Sequence, residues 1–384
     1  MAKDRAERSE KSKKAVVSVM RCGSYEAGQL RASVEESLAP FGGIGAFVKP
    51  GQRVLLKPNL LSAKAPDRAI TTHPDFVRTV ALMVREKGAE PVIGDSPGGA
   101  IRGIQRVWNN TGIAEMASSE GIELVNFEAS GLKEVESGEY RLYISKPVLD
   151  ADVIINLAKL KTHTLTLLTC GVKNIFGVIP GFRKAEYHKL YPKPDKFAEM
   201  LVELYSFVKP ALTIVDGILS MEGNGPSSGK VRKTGVIIAG EDAVAVDAVA
   251  ARMIGFEEGQ IDTTRIAGLR GIGTASISKI EITGNGREEK PEGFLLPSNR
   301  GIRLIPGPLV KMIAPLVWLK LEIDPERCTV CEQCLKSCPV GAISRKGDIL
   351  KVDHSNCIQC MCCHELCPEN TIDIKMSWLA RLFA

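Results

Sequence analysis

The chain has 384 residues, 44% of them apolar, and a formal net charge of +5. That length suits two or three domains, and that apolar share supports sizeable cores. So small a basic excess reads as a solvated surface, and it singles out neither nucleic acid nor a charged membrane as partner.

Residues 1–14, MAKDRAERSEKSKK, are almost wholly polar and read as a disordered basic tail without a signal-peptide core. An α/β domain is expected over residues 15–290. Its strand candidates are Ala15–Val19, Arg53–Leu56, Glu90–Gly94, Ile122–Phe127, Asp152–Asn156, Leu212–Val215, Gly235–Ala239 and Lys279–Ile282. Helix candidates between them include Glu26–Ala39, Pro74–Lys87, Ala198–Phe207 and Ala243–Ile254. Short apolar strands separated by helices predict an α/β fold, a mostly parallel sheet covered by helices. Tyr140–Ile144 reads as an inserted antiparallel piece after a Ser137-Gly138 turn. Residues 291–325, rich in Pro and Gly, read as a linker. The nearest approach to a membrane span, Pro308–Leu319, is broken by Lys311 and Pro315 and falls short of roughly eighteen uninterrupted apolar residues.

In open α/β sheets, ligands bind beyond the carboxyl ends of the strands. After Arg53–Leu56 come Lys57, Pro58 and Asn59; after Glu90–Gly94 come Asp95, Ser96 and two glycines. After Asp152–Asn156 come Lys159, Lys161, Thr162 and His163; after Leu212–Val215 come Asp216 and Glu222-Gly223-Asn224-Gly225. The first strand adds Arg21 and Cys22. If the strands are parallel, these groups converge on one edge, and Lys57, Asp95, Lys161, His163, Asp216 and Glu222 become the catalytic candidates. Taken singly, each has a plainer reading. A lysine after a strand is usually solvated, an Asp there often caps a helix, and His73 could simply precede a helix beginning at Pro74. The loop EGNGPSSG (Glu222–Gly229) offers amides to a phosphate or carboxylate, yet lacks the Lys-Ser/Thr of a P-loop. A mobile loop fits it equally. No G-x-G-x-x-G follows the first strand.

Eleven cysteines are present, nine of them after residue 327. Without an export signal, metal binding in a reducing cytosol is favoured over disulfides. Cys328, Cys331, Cys334 and Cys338 precede Pro339; Cys357, Cys360, Cys363 and Cys367 precede Pro368. Both runs are C-x2-C-x2-C-x3-C-P, the bacterial two-cluster spacing in which each fourth cysteine ligates the other cluster. One [4Fe–4S] cluster then takes Cys328, Cys331, Cys334 and Cys367. The other takes Cys357, Cys360, Cys363 and Cys338. A pair of zinc ribbons would need neither the third cysteine nor the Cys-Pro. The repeat extends downstream, CPVGAISR against CPENTIDI, and AISRKGDILKV alternates around Lys346-Gly347-Asp348 as a hairpin does. A small α+β ferredoxin-like domain is therefore expected over residues 326–375, with an apolar tail at 376–384. Cys362 falls outside the spacing and reads as a structural thiol. Two clusters at roughly −2 each bring the holoprotein near neutral.

The motifs KPNLL (Lys57–Leu61), TTHP (Thr71–Pro74), GDSPGG (Gly94–Gly99), LAKLKTHTLT (Leu157–Thr166), GVKNIFGVIPG (Gly171–Gly181), VDGILSMEGNGPSSG (Val215–Gly229) and AVAVDAVAARMIG (Ala243–Gly255) together resemble one family. It is the prokaryotic iron–sulfur family known as domain of unknown function 362, often with a C-terminal ferredoxin module. The resemblance covers roughly Ala15 to Gly284 and implies little about activity. Cys170 stands where a small or apolar residue is expected and reads as a buried thiol.

Three functions are weighed. The first is an iron–sulfur oxidoreductase holding a small anionic substrate among Lys57, Lys159, Lys161, His163 and Lys173. There Asp95, Asp216 or Glu222 would bind a divalent metal or move protons. The second is a ferredoxin-type electron carrier whose α/β domain docks a partner protein or ligand. The third is a maturation or metal-delivery scaffold. The first is preferred, in the cytoplasm, with one electropositive pocket of Lys57, Lys159, Lys161, Lys173, His73 and His163 facing the ferredoxin module. Pro308–Leu321 and Met376–Ala384 are expected to pack against protein without stable membrane insertion.

Overall fold

The structure, a computed structural model, describes residues 14–97, 104–181, 183–191, 193–298, 319–338, 340–357 and 362–376. Most of the expected tail, Gly98 and Gly99, the stretch 299–318 of the expected linker, Cys360, the Cys362 side chain and the apolar tail at 377–384 lie outside the described residues.

In chain order the large domain runs β1 (Ala15–Arg21), α1 (Ala27–Leu38), β2 (Arg53–Pro58), α2 (Pro74–Glu86), β3 (Glu90–Gly94), α3 (Ile104–Asn110), α4 (Ile113–Glu120) and β4 (Glu123–Val125). The hairpin β5 (Leu132–Ser137) and β6 (Tyr140–Ser145) follows, then α5 (Lys146–Asp150), β7 (Val153–His163), β8 (Leu167–Thr169), α6 (Gly171–Asn174), α7 (Arg183–Leu190) and α8 (Pro194–Val208). β9 (Leu212–Glu222), β10 (Lys230–Gly240), α9 (Ala243–Ile254), α10 (Asp262–Leu269) and β11 (Ile280–Thr283) complete it. The sheet order is β11-β1-β10-β9-β7-β2-β3-β4, with β8 beside β7. Every strand but β10 and β8 points the same way.

Alternation along the strands fills both faces, as a period of two requires. Val54 and Leu56 join Phe76 and Val80 of α2 on one side, while Leu55 joins Phe197 and Leu201 of α8 on the other. Toward the other end of the sheet, Val17, Val19 and Ile238 pack on Val246 and Val249 of α9. The mostly parallel, helix-covered sheet is the expected one.

Three expectations change. β7 runs on to His163 and β9 to Glu222, so Lys159, Lys161, His163, Asp216 and Glu222 lie within strands rather than after them. Lys57 likewise lies inside β2. Leu319–Ile323, within the stretch read as linker, is strand β12 of the C-terminal module. That module continues with α11 (Gln333–Lys336), β13 (Ile343–Lys346), β14 (Ile349–Val352), α12 (Cys362–Leu366) and β15 (Ile372–Met376). β12 pairs with β15, and β13 with β14 around Gly347, whose φ of 61° suits glycine. Among the described residues no helix is long and apolar enough to cross a membrane.

Candidate functional site

The cysteine module is framed by two antiparallel strand pairs. The strand before the first cysteine run, β12, pairs with the strand after the second, β15, and this brings the ends of the module together. One pocket is consequently lined by Cys328, Cys331, Cys334 and Cys367, with Ile323, Leu350 and Ile372 around them. Burial, reinforced by Cys367, Cys331 and Cys328, pushes the Cys334 thiol up to about 12. Four crowded thiols of this kind ionise together only when a cation compensates, and iron supplies that charge. The residues therefore fit a cluster, and they are the crossed set read from the spacing. Of the second set, Cys338, Cys357 and Cys363 belong with the same small core.

In the large domain, the shared direction of β1, β2, β3, β7 and β9 delivers their carboxyl-end residues to one edge. Lys57 of β2, fully buried, donates to Asp95 Oδ1 at 2.8 Å, and Asp95 Oδ2 accepts the Leu60 amide at 2.7 Å. Gly177 completes this contact: a Cβ there would overlap Asp95 Oδ1 and lie 2.6 Å from Lys57 Nζ. Lys159 of β7, also fully buried, donates to Asp216 Oδ2 at 2.7 Å and to Tyr25 Oη at 3.1 Å. Tyr25 Oη donates to Asp216 Oδ1 at 2.7 Å, and the His73 amide donates to Asp216 Oδ2 at 3.0 Å.

Asparagines join the two pairs. Asn174 Nδ2 donates to Lys57 O at 3.3 Å and Asn156 Oδ1 at 2.8 Å, and its Oδ1 accepts from Asn59 Nδ2 at 2.9 Å. Asn59 Oδ1 accepts from Lys161 Nζ at 2.9 Å, and Lys161 also donates to Ile70 O at 2.6 Å. Asn59 and Thr72 exchange bonds, Asn59 N to Thr72 Oγ1 at 2.9 Å and Thr72 N to Asn59 O at 3.0 Å. His73 follows directly. Lys57, Asp95, Lys161 and Asp216 thus belong to one hydrogen-bonded unit.

Its partly exposed members are Tyr25, Asn59 and His73. The Tyr25 and His73 rings stack at 3.7 Å. Burial lowers the His73 pKa, opposed by Asp216 and Asp75, so the ring is neutral near pH 7. Its Nδ1 accepts the Asp75 amide at 3.3 Å as the cap of α2, which leaves the ring proton on Nε2. Burial, then Asp216, holds the Tyr25 phenol far above its ordinary range.

A second group flanks the first. Lys184 Nζ donates to Ser96 O, to Ser96 Oγ at 2.8 Å and to Pro97 O at 3.2 Å, while Ser96 Oγ donates to Glu128. Burial lowers Lys184 to about 8, with Asp95 and Glu128 raising it and Lys57 and Lys173 lowering it.

Two candidates stand apart. His163 Nδ1 accepts the Leu165 and Thr166 amides at 3.0 and 3.2 Å, closing the turn between β7 and β8. Glu222 Oε2 accepts the Leu295 amide at 3.1 Å and pins the segment leaving the domain. Asp95 and Asp216 are each taken by a lysine, and among the described residues no three His, Cys, Asp or Glu side chains of this domain gather as metal ligands. The expected divalent metal is not supported. Tyr25, Asn174, Lys184 and Glu128 are not among the candidates the sequence offers, although Tyr25 falls just past the first strand and Asn174 within the GVKNIFGVIPG motif.

The cysteine module defines an iron–sulfur electron-transfer protein carrying [4Fe–4S] clusters. The chain belongs to the family of the domain of unknown function DUF362, whose model matches residues 54–252, and a 4Fe-4S dicluster domain matches residues 320–368. The thylakoid-associated protein sll1697 of Synechocystis sp. is 43% identical over 249 residues, 64% of this chain and 77% of that protein. Among solved structures, the lactate racemase apoprotein of Thermoanaerobacterium thermosaccharolyticum aligns at a TM-score of 0.39 and 10% identity, over 60% of this chain and 54% of that one. A Thermotoga maritima protein aligns at 0.35 and 12%, over 58% and 57%. The chain spans little more than half of either structure.

Proposed function

We propose that the chain is a cytoplasmic iron–sulfur oxidoreductase. Its α/β domain would take a small anion at the Tyr25, Asn59 and His73 end of the polar unit and exchange single electrons with it. The carrying observation is that the segment following Asn59 of that unit brings a lysine within electrostatic reach of a cluster cysteine. Five residues beyond Asn59, Lys64 lies within electrostatic reach of Cys367 and Glu369, and also of Arg68 and Arg106. The ammonium groups of Lys57, Lys159, Lys161, Lys173 and Lys184 outnumber the carboxylates of Asp75, Asp95, Glu128 and Asp216, which favours an anion.

The clusters, when bound, supply or accept single electrons. The chain's own residues do the rest. Lys161 orients Asn59, Asp216 fixes the His73 backbone and the Tyr25 hydroxyl, and neutral His73 holds or releases a proton at Nε2. The test is anaerobic purification of the intact protein with mass spectrometry of the small molecules that travel with it. His73→Ala and Lys161→Ala should each lose an anionic species while iron stays at about eight per chain. An unchanged complement of small molecules in both variants would defeat the reading. A wild-type protein that carries a partner protein and no small anion would favour the docking carrier instead.

A further inference from the structure

In the ferredoxin module, Thr371 brings a hydroxyl to the position where the matching turn has Ala342. Four residues after Cys338 the Ala342 amide donates to Cys338 Sγ at 3.1 Å; four after Cys367 the Thr371 amide donates to Cys367 Sγ at 3.3 Å. The surrounding frame repeats as well. Gly341 N donates to Cys338 O at 3.2 Å and Asn370 N to Cys367 O at 3.3 Å, and both donors have positive φ, 63° and 51°. Asp353 N donates to Ala342 O at 2.7 Å and Asp324 N to Thr371 O at 2.8 Å. Ala342 ends in a methyl. Thr371 places Oγ1 3.3 Å from Cys367 Sγ, and both residues are buried.

As a cluster ligand Cys367 is a thiolate and has no proton to give, so the hydroxyl is the donor. A hydrogen bond to a ligand sulfur favours the more negative, reduced state and raises the potential. Lys64, a cation within reach of Cys367, acts in the same direction. We propose that the Thr371 hydroxyl makes the two clusters inequivalent, raising the potential at the Cys328, Cys331, Cys334 and Cys367 set. The first electron delivered by a one-electron reductant then settles at that set, the one that Lys64 approaches. This needs two bound clusters but not the substrate reading above.

The experiment is a redox titration of the anaerobic holoprotein with dithionite, followed by electron paramagnetic resonance. Wild type should show two separated one-electron steps. Thr371→Ala, which copies Ala342, should shift the upper step down toward the lower, leaving the lower step in place and the iron content unchanged. Thr371→Ser keeps the hydroxyl and should return the upper step toward its wild-type position. Coincident wild-type steps, an unmoved upper step in Thr371→Ala, or movement of the lower step alone would overturn the proposal. Should Thr371→Ala lose iron, Thr371→Val, similar in shape without the hydroxyl, is read against Thr371→Ser. Equal upper midpoints in those two overturn it as well.

Discussion

A buried ammonium persists only where a carboxylate or several neutral acceptors replace its hydration. Lys57 has Asp95 and Lys159 has Asp216; in both lysines burial lowers the pKa and the partner carboxylate opposes it. Asp216→Ala strands Lys159 and should cost about 3–5 kcal/mol in urea unfolding. Lys159→Met combined with Asp216→Leu should recover most of that loss; a double variant as unstable as the single one would place the energy elsewhere. Burial also depresses Lys184, whose folded pKa of about 8 lies below the ordinary 10.5. Between those values the unfolded chain holds more protons, so the contribution of Lys184 to stability grows as pH rises through that window. Lys184→Met should flatten the stability curve there, and an unaltered slope would count against the depressed lysine.

At the scale of elements, α6 is a single turn and too short to persist alone. Asp247 of α9 accepts its first amides, Gly171 N at 2.6 Å and Val172 N at 3.1 Å, and the Cys170 thiol bonds to the same carboxylate. Burial raises Asp247 to about 7 against the pull of those donors. Asp247→Asn leaves one acceptor for two amides and should cost about 1–3 kcal/mol. It should also speed hydrogen exchange at Gly171–Asn174; unchanged exchange there would show that α6 is held by something else. Elements with local signals were legible in the sequence. Ala243–Ile254 is legible end to end because Asp242 caps it and Gly255 terminates it within the same stretch. The far half of β7 is not, because Lys159 and Lys161 look solvated until Asp216 and Asn59, remote in sequence, are brought beside them. His163 and Glu222 stand out by residue type and position, but their polar atoms serve backbone amides. Asn174 could not be singled out, since its partners Lys57, Asn59 and Asn156 meet only through the parallel sheet.

At the scale of the whole molecule, the order of the cysteines along the chain and their grouping in space differ. Each run of four is contiguous in sequence, yet the spacing assigns its fourth cysteine to the other cluster. Pairing of β12 with β15 carries the end of the second run back to the first, and Cys367 lines the pocket of Cys328, Cys331 and Cys334. That same set has Lys64 of the large domain within electrostatic reach of its Cys367. Cys367→Ala and Cys328→Ala should therefore lose the same cluster, each retaining about four of about eight iron atoms and the same residual paramagnetic signal. Cys338→Ala should lose the other cluster and leave a different residual signal. The large domain should be untouched in all three, because among the described residues its cores share none with the cysteine module. If Cys367→Ala instead matches Cys357→Ala in its surviving signal, each run encloses its own cluster and the crossed arrangement is wrong.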